Sequence, residues 1–158
     1  MGIEVESDLS ELEELARELE GMSEAVQGQI PGKMKTAVLI LEREAKAGAP
    51  VGVSGRLKSG ITSEVRGVAG GVTGVVGSNV KYAPPVELGT QPFWPPWGPG
   101  TSLARWAQLK GLSAFLVARA ISRKGIRAQE FLQQAFERRK PDVIKVFVDW
   151  VKEIKLGG

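Results

Sequence analysis

Two of the residue types that carry most protein chemistry are missing from these 158 residues: there is no Cys and no His. Thiol nucleophiles, disulfides and Cys-ligated zinc or iron–sulfur sites are thereby excluded. So are His-based triads, His metal sites and imidazole switches. A metal would need an all-oxygen site, and acid–base catalysis loses its commonest agent. Gly32-Lys33 carries the last Gly-Lys of a phosphate loop, but Gln27 stands where the upstream glycine is required and Met34 where the magnesium-holding Ser or Thr belongs. The glycine-rich stretch 67–77 holds no G-x-G-x-x-G that opens a helix. Acids at 11, 13, 14, 18 and 20 sit on one expected helix and read as a solvated face, Glu13, Glu14 and Glu18 among them. Glu64 and Glu87 stand alone and suggest no reaction. The chain is expected to be non-catalytic, with no metal and no cofactor.

What remains is surface recognition. Residues 91–100, QPFWPPWGPG, form a rigid loop carrying Phe93, Trp94 and Trp97. Prolines reduce the entropy lost on ordering, and Trp supplies large contact area. Such anchors are typical of protein interfaces. The opposing reading folds both Trp onto the domain's own core. Charge supplies a second surface feature. Residues 1–20 hold eight acids and Arg17, a net −7; the other 138 residues hold 20 bases and 10 acids, a net +10. The segment Arg105–Lys140 carries nine bases against Glu130 and Glu137. A basic nucleic-acid-binding module is therefore the alternative reading. Two short helices flanking Gly111 could mimic a helix-turn-helix, but Leu112-Ser113-Ala114-Phe115-Leu116-Val117 lacks the polar start that reads base edges. That run marks a buried or interface helix.

The elements that must position these features follow from periodicity. Leu9, Leu12, Leu15, Leu19, Met22, Val26 and Ile30 predict a helix over 8–30, started by Asp8 and Glu11, with a break near Gly28 or Pro31. A second helix, 32–47, ends at Gly48 and Pro50. Alternation of Ile61, Ser63 and Val65 with Thr62, Glu64 and Arg66 opens a hairpin over 61–80. Helices are predicted over 101–110, 112–123 and 127–139, and a last one starts at Pro141, a residue tolerated at the first helical position. The fold class is α+β: N-terminal helices packed on a small antiparallel sheet, then a helical C-terminal part. The expected organisation is a single domain, 1–158, divided into 1–47, 48–100 and 101–158. The acidic start resembles no signal peptide, and no apolar run approaches a membrane span.

The order of the motifs resembles a known family. Ala49-Pro50 followed by Gly55-Arg56-Leu57-Lys58-Ser59-Gly60-Ile61 is similar to its entry to the sheet. Tyr82-Ala83-Pro84-Pro85-Val86-Glu87-Leu88-Gly89-Thr90 is similar to its YA-x-x-x-E-x-GT signature. Trp106, Ala118-Arg119-Ala120-Ile121, Gly125, Phe131 and Ala135 match its closing pattern. These are the neck, or head–tail connector and tail-completion, proteins of long-tailed double-stranded DNA bacteriophages, and the resemblance spans about 49–136. It implies a virion protein assembled as a ring, hexamer or dodecamer, between capsid portal and tail. Portal or adaptor proteins, tail tube or terminator proteins and DNA in the channel would be its partners. It would reside in the virion, and in host cytoplasm during assembly. Gly55, Leu57, Tyr82, Glu87, Gly89, Thr90, Trp106, Phe131 and Ala135 would be structural. Phe93, Trp94, Trp97, Arg105 and the acids Glu13, Glu14 and Glu18 are the interface candidates.

Overall fold

The computed structural model describes residues 10–52 and 54–156, the side chains of Glu11 and Leu12 apart. In chain order the elements are α1 (Ser10–Glu20), α2 (Glu24–Gln27), α3 (Ile30–Gly48), α4 (Arg56–Ser59), β1 (Ile61–Val68), β2 (Gly71–Ser78), α5 (Ala83–Leu88), α6 (Ser102–Leu109), α7 (Ala114–Lys124) and α8 (Phe131–Leu156). The fold is α+β, with β1 and β2 paired as an antiparallel hairpin. The chain divides into two compact units. One holds residues 1–48, 61–77 and 132–158; the other holds 49–60 and 78–131.

The first unit has an ordinary apolar core. Leu19 of α1, Ala37 of α3, and Val143, Phe147, Trp150 and Val151 of α8 are buried together, flanked by Leu15, Met22, Val26, Ile30, Met34 and Leu41. Burying a side chain of this size stabilises by roughly 1.5–3 kcal/mol. The α3 helix lies on β1, whose alternation turns Ile61, Ser63 and Val65 inward. Gly74 of β2 sits tight against α3. A Cβ there would overlap the Val38 side chain and come within 2.8 Å of the Met34 sulfur. The hairpin turn is Ala69-Gly70, and Gly70 has φ +81°. Buried Trp150 donates its indole N–H to Gln29 Oε1 at 3.2 Å, and Lys33 Nζ lies 5.8 Å from its ring centroid.

Charged groups stitch the surface of this unit. Glu44 of α3 takes Arg139 at 2.9 Å and Arg138 at 3.5 Å, and Lys155 reaches Glu18 of α1 at 3.1 Å. The Glu42 carboxylate accepts from Lys46 and from the Ser63 hydroxyl, both at 2.5 Å. The Lys46 hydrogen bond, followed by that of Ser63, holds Glu42 below its ordinary carboxylate value. Arg139 does the same to Glu44.

Three expectations are corrected. The helix expected over 8–30 is two helices: besides the break at Gly28, the chain opens at Gly21–Ser23, where glycine costs most in a helix interior. The proposed start signal at Asp8 lies outside the described residues. Pro31 ends nothing, because it occupies the first turn of α3, where no N–H is needed. The predicted helices 127–139 and 141 onward are one helix, α8, with Pro141 inside it. An interior proline costs about 3 kcal/mol. Buried side chains on both sides of it, Leu132 and Ala135 before, Val143, Phe147 and Trp150 after, hold the helix through that defect. The short helices α4 and α5 carry no apolar period of their own and were not foreseen.

Gly74→Val should lower the unfolding free energy by about 1–3 kcal/mol, measured by denaturant titration, through overpacking against Met34 and Val38. Because the folded Glu42 value is depressed, its stabilisation is complete above the unfolded carboxylate value and is lost as pH falls through the folded one. Glu42→Gln should therefore lower Tm at neutral pH, and its Tm should converge on that of the parent chain under acid conditions.

Candidate protein-interface site

The second unit is packed differently. Its buried residues are mostly small: Ala49, Ala83, Ala107 and Ala118, with Leu57, Phe131 and Glu87. Many of its large apolar side chains are exposed, including Tyr82, Leu88, Phe93, Trp94, Trp97, Leu109, Leu112, Phe115 and Leu116. An apolar surface of this extent marks an interaction site more often than a monomer's outer skin.

Its frame is a backbone clasp. The Thr90 N–H donates to the Ile126 carbonyl at 2.9 Å, and the Ile126 N–H donates to Thr90 Oγ1 at 3.0 Å. The Gln129 and Glu130 N–H groups donate to the Val86 and Glu87 carbonyls at 2.9 and 3.1 Å. Two glycines permit this approach. Gly89 (φ +73°) has no room for a Cβ, which would meet the Ile126 carbonyl at 2.6 Å. Gly125 (φ +72°) is backed directly by the Thr90 carbonyl. The Glu87-Leu88-Gly89-Thr90 segment therefore forms one side of this clasp. These contacts also explain why α8 starts at Phe131 and not at 127: Ile126 is held as a bridge to Thr90.

Between the two halves of the clasp, residues 91–124 carry the aromatic surface. Trp94 and Trp97 both meet Phe115 of α7 edge-on, with ring centroids 6.2 and 5.3 Å apart and interplanar angles of 65° and 71°. Pro95, between the two Trp, is buried. The loop ends at Thr101, whose hydroxyl donates to the Gly98 carbonyl at 2.8 Å and accepts from the Ala104 N–H at 3.2 Å, capping α6. Ser113 caps α7 likewise. Trp94 is 53% exposed and Trp97 40%, so neither is folded wholly into the core. Phe93 and Arg105 are exposed and Trp106 is half-buried.

The segment 112–117 is not buried: Phe115 (42%) and Leu116 (59%) face solvent. The signal was present in the i, i+4 line Phe115–Arg119–Arg123, which makes one face of α7 amphipathic. Sequence reasoning put Phe115 in a buried or interface helix but did not pair it with the Trp loop, which rests on its ring. Glu13 and Glu14 are exposed on α1, and Glu18 is already paired with Lys155. Of the family-motif residues, Leu57, Glu87, Phe131 and Ala135 are buried, Tyr82 is exposed, and Gly55 has φ +61°. Glu64 is exposed and ion-paired with Arg66, whereas Glu87 is shut off from solvent. Among the described residues no buried side-chain polar atom lacks a hydrogen-bond partner, and no cluster of acids is arranged to hold a metal.

A family model described as "Bacteriophage HK97-gp10, putative tail-component" matches residues 13–89. Those residues are similar to the HK97-gp10-like family. The match covers α1 to α5 and the hairpin, so the acidic N-terminal helix lies inside the family region, where the motifs alone had left it outside. It ends at Gly89, the first glycine of the clasp. No curated protein and no solved structure matches the chain. The matched region thus resembles a bacteriophage tail component. No helix of the described residues is long and apolar enough to cross a membrane.

Gly125→Ala combines a positive φ with a clash on the Thr90 carbonyl. It should cost more than about 1 kcal/mol in urea unfolding. Near-UV circular dichroism should report the loosened Trp94 and Trp97.

Proposed function

We propose that this chain is a non-catalytic neck protein that forms a homo-oligomeric ring, joining the capsid connector to the tail and completing it. The observation that carries the reading is the division of charge between the two units. The unit of 49–60 and 78–131 holds nine bases and two acids, +7; the described residues of the other hold 12 bases and 13 acids, −1. All nine bases are exposed, and among the described residues none is ion-paired. A ring needs two different, complementary surfaces on each subunit. The acidic face of α1, with Glu13 and Glu14, supplies one, and the basic unit of the next copy, including Arg105, supplies the other. Arg138 and Arg139 contribute less, since Glu44 already holds them. Portal or adaptor and tail tube or terminator proteins would meet the ring's two ends, and assembly would take place in host cytoplasm.

The nine free cations also support the second reading, a nucleic-acid-binding module. Binding to duplex DNA would then fall steeply with salt and protect a defined sequence. In the ring reading, contact with DNA in the channel protects none.

Truncating residues 1–20 is a poor test, because Leu15 and Leu19 belong to the core. Glu13→Lys with Glu14→Lys leaves the fold intact and should reduce the oligomer mass seen by light scattering or native mass spectrometry. An unchanged oligomer would remove α1 from the contact, and a parent chain that stays monomeric even with its virion neighbours would remove the ring.

A further inference from the structure

The aromatic surface of the second unit has a use beyond the ring. We propose that the exposed face of α7, together with Trp94 and Trp97, docks an acidic amphipathic helix of a protein other than this chain. The inference stands whether or not the chain forms a ring.

The surface is prepared before any partner arrives. Pro92, Pro95 and Pro96 stiffen the loop, Pro95 is buried, and both Trp rings lean on Phe115. Little ordering entropy is then lost on binding. Leu112 precedes α7 and Leu116 follows Phe115 in it, and both are exposed. Along α7 the apolar end passes into a cationic one through Arg119, Arg123 and Lys124, all exposed. From Phe115 to Arg123 the face runs about 12 Å, the length of two to three helical turns. A helix laid along it would place apolar anchors at spacings of three and four on Trp94, Trp97, Phe115 and Leu116. Its acids would meet the arginines.

Three other occupants fit less well. Nucleic acid would satisfy the cations but gains nothing from covering Leu112 and Leu116, and the Trp rings are engaged edge-on with Phe115. Patch-to-patch pairing of two copies would oppose two units of +7. The acidic α1 of another copy offers charge alone, because Leu15 and Leu19 face its own core. The exposed large apolar side chains among the described residues of that unit, Leu39, Val68 and Leu156, stand one each on α3, β1 and α8. The complement therefore lies on another protein that carries apolar and acidic residues on one helix.

The test titrates the full chain with two labelled model peptides of about 18 residues. They share one leucine face, and their polar face is all Glu in one and all Lys in the other. Fluorescence anisotropy should give at least about tenfold tighter binding of the Glu peptide. Leu116→Ser should weaken it about tenfold, and Arg119→Glu with Arg123→Glu should abolish the preference. Both variants alter exposed side chains, and circular dichroism checks that they fold. Equal binding of the two peptides, no binding, or binding indifferent to Leu116→Ser would overturn the proposal. So would a parent chain whose self-association disappears in Leu116→Ser, or a single-stranded DNA oligonucleotide that outcompetes the Glu peptide at the same salt.

Discussion

The contact between Gly89-Thr90 and Gly125-Ile126 is the constraint on which the second unit depends. It joins backbone segments 36 residues apart at a distance that any Cβ would forbid. The Trp/Pro loop and α7 lie on the excursion between these points: the loop leaves directly after Thr90, and α7 ends directly before Gly125. Closing such a loop costs entropy that rises only slowly with its length. A clasp of four backbone and hydroxyl hydrogen bonds can therefore hold a long excursion without a large core inside it. That is why the unit manages with buried alanines and leaves its larger side chains outside.

The first unit solves the opposite problem. Its hydrophobic residues are turned inward, and its helices bring leucine, phenylalanine and tryptophan together in the usual way. Some of its charges are matched to one another, as in Glu44 with Arg138 and Arg139 and Glu18 with Lys155. Surface pairs of this kind contribute little to stability, but they neutralise the surface locally. Among the described residues of the second unit no cation is ion-paired. One chain thus combines a self-sufficient unit with one whose apolar and charged groups are satisfied only in part, as suits a component of a larger assembly.

Much of this was legible in the residues. Period-2 alternation placed the hairpin, and the helices predicted over 32–47, 101–110 and 112–123 placed α3, α6 and α7 closely. The resemblance pointed to a special backbone angle at Gly89, which has φ +73°. Pro141 misled, because local rules put proline at a helix start, whereas nonlocal burial on both of its sides carried α8 across it. The break was expected at Gly28 or Pro31 and not at Gly21, because the apolar stripe continues through Gly21. The position of Trp94 and Trp97 stayed open, because nothing local says whether a rigid aromatic loop turns in or out.

By itself the sequence determined the chemistry available: no thiol, no imidazole, a divided charge, and helices and strands whose periods are local properties of the chain. Only the tertiary structure decided which apolar residues are left uncovered. Burial depends on partners far along the chain, such as Phe115 for Trp94 and Trp97, or Ile126 for Thr90. No local spacing specifies such a meeting, and it is the meeting that turns a hydrophobic residue into core or into contact surface.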